Sequence, residues 1–128
     1  MKRLLLDTHV LLWWLSDHTS LGSQARQAIG DPRNQVFISA VTGWEISIKK
    51  GLGKLTAPDD MDRIVTDEGF DELPISFFHG EQAGLLTEHH KDPFDRMLVA
   101  QAQAEGLVIV TSDKIISRYG IRTMDAGK

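Results

Sequence analysis

Three short apolar runs, Leu4-Leu5-Leu6, Val36-Phe37-Ile38 and residues 107–110, are separated by stretches with helical spacing. The run at 107–110 has no polar alternate, the pattern of a strand covered on both faces. After the first run, Val10, Leu11, Trp13, Trp14 and Leu15 predict a helix that begins just after Asp7. Residues 41–50 follow the second run with helical spacing and stop at Gly51-Leu52-Gly53. Asp92-Pro93 predicts a sharp helix start, an acid at the cap and proline at the first helical position, for a helix ending at Gly106. Weaker signals predict helices over 21–29, from Pro58-Asp59-Asp60 onward and over 77–86, with strands within 70–75 and around 121–123. Strands that alternate with helices imply right-handed crossovers and a parallel sheet, so the expected class is α/β.

The chain has 128 residues, enough for one domain with a real core, and nothing in it marks a linker or an internal repeat. A hydrophobic content of 41% argues against extended disorder. The absence of cysteine excludes a disulfide framework and a thiolate metal site. Met1-Lys2-Arg3 and the leucines after it imitate a signal peptide, but Asp7 and His9 interrupt the apolar stretch and no cleavage site follows. No apolar run is long enough to span a bilayer, and a cytoplasmic protein without membrane contact is the expectation. The net charge of −4 is a weak argument against a nucleic-acid partner, because pooled acids neutralised by cations would leave the remaining surface near neutral.

In an open parallel sheet the carboxyl ends of the strands face one crevice, where ligands bind. Asp7, Glu45, Asp95 and Asp113 all lie near such junctions. Crowded carboxylates repel, and a hard divalent cation such as Mg²⁺ or Mn²⁺ is the usual remedy. Each acid also has a purely structural account. Asp7 is placed to cap the next helix, with Thr8 and His9 as ordinary first-turn residues. Glu45 and Lys49 form an i,i+4 pair of about 0.2–0.5 kcal/mol. Asp92 suits the N-cap, and Asp95, at the third helical position, meets the positive end of the helix dipole. Arg96 has either acid, or a phosphate, within sequence reach. Asp113 closes Val110-Thr111-Ser112-Asp113, where it or Ser112 can cap a short helix. His18, His79, His89 and His90 have no spacing that suggests a metal site, and Trp13, Trp14 and Trp44 are expected in the core or at a subunit contact.

Taken in order, Leu4-Leu5-Leu6-Asp7-Thr8-His9, Trp44-Glu45-Ile46 with residues 49–55, His90-Lys91-Asp92-Pro93-Phe94-Asp95-Arg96 with Val99-Ala100-Gln101-Ala102, and Val110-Thr111-Ser112-Asp113 resemble the PIN-domain ribonucleases. The resemblance is to the VapC-type toxins of type II toxin–antitoxin pairs, and it covers nearly the whole chain. It implies a single PIN domain over 1–128, a three-layer α/β/α sandwich around a parallel sheet of about five strands. It implies a catalytic and metal-binding quartet of Asp7, Glu45, Asp95 and Asp113. Thr8, His9, Lys49, Asp92, Arg96 and Thr111 are implied as supporting or substrate-facing groups. The implied activity is Mg²⁺- or Mn²⁺-dependent endoribonucleolytic cleavage of transfer or ribosomal RNA, inhibiting translation. The implied partners are a VapB-type antitoxin and a second copy of the chain, as a homodimer.

Two rivals belong to other classes. A phosphate-receiver signalling domain also gathers acids around Mg²⁺, but it needs an acid pair after the first strand and a lysine after the last. Here Thr8 and His9 follow Asp7, and no lysine follows Ile121 before Lys128. A catalytically silent PIN fold kept for binding is the other rival, and an intact quartet argues against it.

Overall fold

The computed structural model describes residues 1–128. Five strands, β1 (Arg3–Leu6), β2 (Gln35–Ser39), β3 (Asp71–Leu73), β4 (Val108–Thr111) and β5 (Thr123–Asp125), form one sheet in the order β3-β2-β1-β4-β5. Every pairing is parallel, with Leu4 opposite Val36 on one side of β1 and Val108 on the other. The helices are α1 (Thr8–Leu15), α2 (Ser23–Gly30), α3 (Ala40–Gly51), α4 (Met61–Asp67), α5 (Phe77–Leu85) and α6 (Pro93–Glu105). A 3₁₀ turn spans Ile116–Tyr119. The sheet order reverses beside β1, since the chain first builds outward through β2 and β3 and then returns to place β4 on the other flank. At such a switch point the crossovers leave in opposite directions and open a crevice at the strands' carboxyl ends.

The strand at the centre carries three leucines after Arg3, none of which retains any solvent exposure. Successive side chains in a strand point to opposite faces, so a short all-apolar strand demands cover on both. Leu4 and Leu6 pack with Val10 and Leu11 of α1, Ala25 and Ile29 of α2, and Ile46 of α3. Leu5 faces the other way and packs with Leu98, Val99 and Ala102 of α6, together with Val41 and Ile109. The result is the expected three layers. Each of these leucines contributes about 1.5–3 kcal/mol by leaving water.

Side chains at the strand–helix junctions start the helices. Asp7 Oδ1 accepts the Val10 N–H at 2.9 Å, and Ser39 Oγ accepts the Val41 N–H at 3.1 Å. Asp92 Oδ1 accepts the N–H groups of Phe94 and Asp95 at 2.8 and 3.2 Å, with Pro93 at the first helical position as expected. Gly106 ends α6 in the left-handed region (φ 68°), which glycine adopts without strain. Gly22 answers a different need: a Cβ there would lie 2.2 Å from the carbonyl carbon of Lys128.

Several expected boundaries shift by a few residues. The second helix begins at Ser23 rather than residue 21, because Leu21 turns into the core ahead of the helix and Gly22 serves as its cap. The last strand lies at Thr123–Asp125 rather than 121–123, placed by the pairing of Thr111 with Asp125. Of the two places expected for the indoles, the core does not take Trp44. It is 60% exposed, because α3 turns Val41, Thr42, Glu45 and Ile46 inward and Trp44 lies off that stripe. Trp13 and Trp14 are half-buried against the core, with Trp14 6.2 Å from the Phe70 ring.

Leu5→Ala is expected to destabilise the protein by about 2–5 kcal/mol, the cost of a cavity in a site that cannot collapse. Phe77→Ala, on a ring that is 86% exposed, should cost less than about 0.5 kcal/mol. Urea denaturation of both variants checks this, and similar losses would mean that β1 is not the centre of the core.

Candidate metal centre

The carboxyl ends of β1 and β4 deliver the first pair of acids. Asp7, the residue after β1, donates its N–H to the Val110 carbonyl at 3.2 Å, so the end of β1 is tied to β4. Its side chain is buried and fully engaged: Oδ1 takes the Val10 N–H, and Oδ2 takes the Thr111 hydroxyl at 2.5 Å. Thr111 Oγ1 in turn accepts the Asp113 N–H at 3.0 Å, and Asp113 Oδ1 accepts the Ile115 N–H at 2.8 Å. One hydroxyl therefore sets the position of both acids. Burial pushes the Asp7 carboxyl above its ordinary range, against the opposing pull of the Thr111 and Val10 hydrogen bonds.

Glu45 reaches the same crevice from α3 and is only 4% exposed. Its Oε1 accepts the Thr8 hydroxyl at 2.5 Å, and its Oε2 pairs with the Lys49 ammonium one turn further along. The hydrogen bond to Glu45 holds the Lys49 ammonium above the usual lysine range. Asp95 arrives in the first turn of α6. Burial, then the neighbouring charge of Asp92, push its carboxyl up to about 7, with His90 opposing.

His90 stands between Asp95 and Asp113. Its Nε2 lies 3.0 Å from Asp95 Oδ2 and 2.8 Å from Asp113 Oδ2. Its Nδ1 accepts the Asp92 N–H at 3.2 Å, which leaves the ring hydrogen on Nε2, directed at the two carboxylates. The His90 backbone is pinned as well, its N–H donating to the Tyr119 hydroxyl at 2.7 Å.

Asp7, Thr8, His9, Glu45, Lys49, Asp92, Asp95, Ser112 and Asp113 line a cavity of about 180 Å³ with no apolar side chain in its wall. Five carboxyl groups share it with a single ammonium. A site so short of positive charge has donors suited to a hard divalent ion: all-oxygen, carboxylate-rich and partly desolvated. The donor oxygens of Asp95 and Asp113 lie within 4.8 Å of one another, close enough to share one ion in place of the His90 Nε2–H now directed at both.

All four acids singled out in the sequence therefore line one cavity, joined by Thr8, His9, Lys49 and Asp92, with Thr111 directly beneath Asp7. His9 is exposed at the rim, its ring tilted against Trp13 at 6.3 Å. Arg96 does not belong there. Its guanidinium donates to the carbonyls of Ala83 and Leu86 at 2.8 and 3.0 Å, and of His90 and Thr87 at 3.3 and 3.4 Å. A guanidinium at the carbonyl-rich end of α5 meets the negative pole of the helix, a better partner than acids already engaged. Lys50, one residue beyond Lys49, pairs instead with Asp59 at 2.7 Å. The sequence missed His90 and Ser112. Nothing in their spacing marks them, and only their closeness to Asp92 and Asp113 along the chain hinted at a role.

A family model described as the PIN domain matches residues 4–122. No curated protein matches the chain. Among solved structures the chain is similar to a toxin–antitoxin complex from Klebsiella pneumoniae, 25% identical over 85% of each chain, with a TM-score of 0.59. It is similar also to DNA-bound VapBC from Salmonella typhimurium, 22% identical over 98% of both chains, with a TM-score of 0.69. VapBC2 from Rickettsia felis, bound to a DNA fragment from its promoter, matches over 95% of this chain and 97% of that one, at 15% identity and a TM-score of 0.68. At 22% and 15% identity the likeness is one of fold.

The Asp95 carboxyl generates a prediction with a definite sign. Its folded-state value of about 7 exceeds the unfolded 3.8, so the folded protein binds more protons between those values. Stability contributed at this position is lost as pH rises through that window. Without divalent metal, Asp95→Asn should match the natural protein near pH 4 and melt higher above about pH 7, by a few kcal/mol at most. Thermal melts in chelator across this range decide it. A pH-independent difference would mean that Asp95 ionises freely in the fold.

Proposed function

The chain belongs to the PIN-domain family, whose members are nucleases, and on that premise we propose that it is a divalent-metal-dependent endoribonuclease, the toxin of a toxin–antitoxin pair. The observation that carries the proposal is the convergence of Asp7, Glu45, Asp95 and Asp113, from four separate stretches of chain, on one cavity without apolar lining. The substrate is transfer or ribosomal RNA, whose cleavage inhibits translation. The partners are a VapB-type antitoxin and a second copy of the chain. The Klebsiella, Salmonella and Rickettsia structures, described as toxin–antitoxin or VapBC complexes, support the assignment of that partner class.

Water adds to phosphorus, the bond from phosphorus to the 3′ oxygen breaks, and the products carry a 5′ phosphate and a 3′ hydroxyl. Asp7, Glu45, Asp95 and Asp113 would hold Mg²⁺ or Mn²⁺. A bound ion of this kind supplies charge stabilisation at phosphorus and an acidified water at neutral pH. The residues of the chain provide the positioning. Thr111 and the Val10 N–H fix both oxygens of Asp7, and Thr8 fixes one oxygen of Glu45. Lys49 lines the cavity, while Lys91 and Lys114, both exposed, adjoin Asp92 and Asp113 in sequence. Lys49 in the cavity wall, with Lys91 and Lys114 by their place in the sequence, would meet the phosphates of the RNA. Asp92 caps α6 and places Asp95.

The receiver alternative does not fit the topology, because that fold orders its strands 2-1-3-4-5 whereas this sheet runs 3-2-1-4-5. A silent binding module is separated from an enzyme by activity. Asp7→Asn keeps the shape and the helix cap but removes a charge, and it should lower Mn²⁺-dependent RNA cleavage about a hundredfold or more, beyond the cost of losing an outer partner. Full activity of this variant at saturating metal would exclude the site.

Glu45 and Lys49 separate in a second test. Glu45→Gln should cripple cleavage. Lys49→Ala should chiefly weaken RNA binding at raised salt and flatten its salt dependence. Because Lys49 is the ion partner of a buried carboxylate, Lys49→Ala should also melt lower in chelator and recover when Mn²⁺ is added. Equal and minor effects of both substitutions would reduce the pair to a surface contact.

A further inference from the structure

Trp44 is the one indole that the core leaves largely uncovered, and it is the residue immediately before Glu45. Its ring packs nearly perpendicular to Phe94, with centroids 5.2 Å apart and planes at 76°. Phe94 is in turn the residue before Asp95, and the Lys49 ammonium lies 5.8 Å from its centroid. One phenyl ring thus touches both the exposed indole and the ammonium that lines the acidic cavity. The other strongly exposed aromatics, Phe77 and Phe78, sit at the start of α5, an element that contributes nothing to the cavity wall.

Resting on the nuclease assignment above, we propose that Trp44 is a stacking platform for an unpaired base beside the bond that is cut. The site then accepts single-stranded RNA and rejects the same sequence in a duplex. Every base has a π-face, so an indole binds it without regard to sequence, and the face of a base is free only where the strand is unpaired. Trp44 has the required features. Its backbone sits in α3 next to a cavity-lining acid, Phe94 restrains its ring, and the rest of its surface is open to water. Lys49, behind Phe94, supplies the positive charge that a phosphate attached to that base would meet.

The test is equilibrium binding by fluorescence anisotropy with an Asp7→Asn protein, which leaves the RNA uncut. The probes are a short fluorescein-labelled RNA of mixed sequence and the same RNA annealed to its complement. In this background Trp44→Ala and Trp44→Leu should each weaken single-strand binding about tenfold, the loss expected of one stacked base, and Trp44→Phe should recover most of it. Weak duplex binding should not change, and the slope of log Kd against log salt should stay as before, because a stacked base displaces no counterions. Melting curves confirm that the variants fold, as the exposure of Trp44 predicts. Trp44→Leu binding as tightly as the parent, or equal losses for single strand and duplex, would overturn the platform while leaving the nuclease assignment intact. So would unchanged RNA binding coupled with a lost affinity for a protein partner. Failure of the parent protein to bind either RNA would instead remove the assignment on which the platform rests.

Discussion

The hydrogen bond from Thr111 to Asp7 joins the two halves of the molecule at the point where everything else is measured from. Asp7 follows directly on the central strand and Thr111 ends its neighbour, yet the two are brought in from opposite ends of the chain. The bond fixes one oxygen of Asp7, and the same hydroxyl fixes the turn that carries Asp113. Its geometry is only as good as the register of β1 on β4, and that register is held by Leu4, Leu5, Leu6, Ile109 and Val110, none of them exposed. Precise placement of a charged group is here a by-product of dry packing, since a strand locked on both faces has no freedom to slide.

Holding several carboxylates in one crevice sets the second constraint. In the folded chain the charge is relieved in three ways. Lys49 pairs with Glu45, His90 directs its Nε2–H at Asp95 and Asp113, and Asp95 retains its proton up to about 7. Asp7 is raised chiefly by its burial, with a smaller push from the Asp113 charge. On the proposed function, a bound cation would offset the remaining crowding of these carboxylates. Arg96 illustrates the separation of roles. The nearest strong cation along the chain from Asp95 is spent on α5 carbonyls, where it braces the segment that presents His90.

The two aromatic environments differ for the same reason that the acids converge. Trp13 and Trp14 follow the central strand into α1, and both are drawn half into the core. Trp44 lies on a helix whose inward stripe is already taken up by Val41, Thr42, Glu45 and Ile46. Because Glu45 faces the crevice, its neighbour is rotated by about 100° along the helix and emerges into solvent. An acid turned inward and an indole turned outward are thus one geometric consequence.

Much of this was legible in the residues alone. Apolar runs without polar alternates made buried strands unavoidable, and a strand–helix alternation made the sheet parallel. Asp92-Pro93 and Gly106 marked both ends of α6, because capping and left-handed backbone are local properties. Asp7 and Asp113 were visible as residues just past strand ends, since a parallel sheet turns all such ends the same way, whereas Glu45 and Asp95 lie on helices and were marked by the family resemblance. Tertiary structure alone decided the rest. That Glu45 is buried yet still paired with Lys49 depends on how α3 lies against α1, and no i,i+4 pattern carries that information. That His90 meets two acids while Arg96 meets none depends on a loop path between α5 and α6 that periodicity does not describe. The exposure of Trp44 depends on which helix face the core had already filled. Local sequence determines the elements and their ends through short-range sterics and hydrogen bonding. Which side chains meet across elements is decided by packing summed over the whole chain.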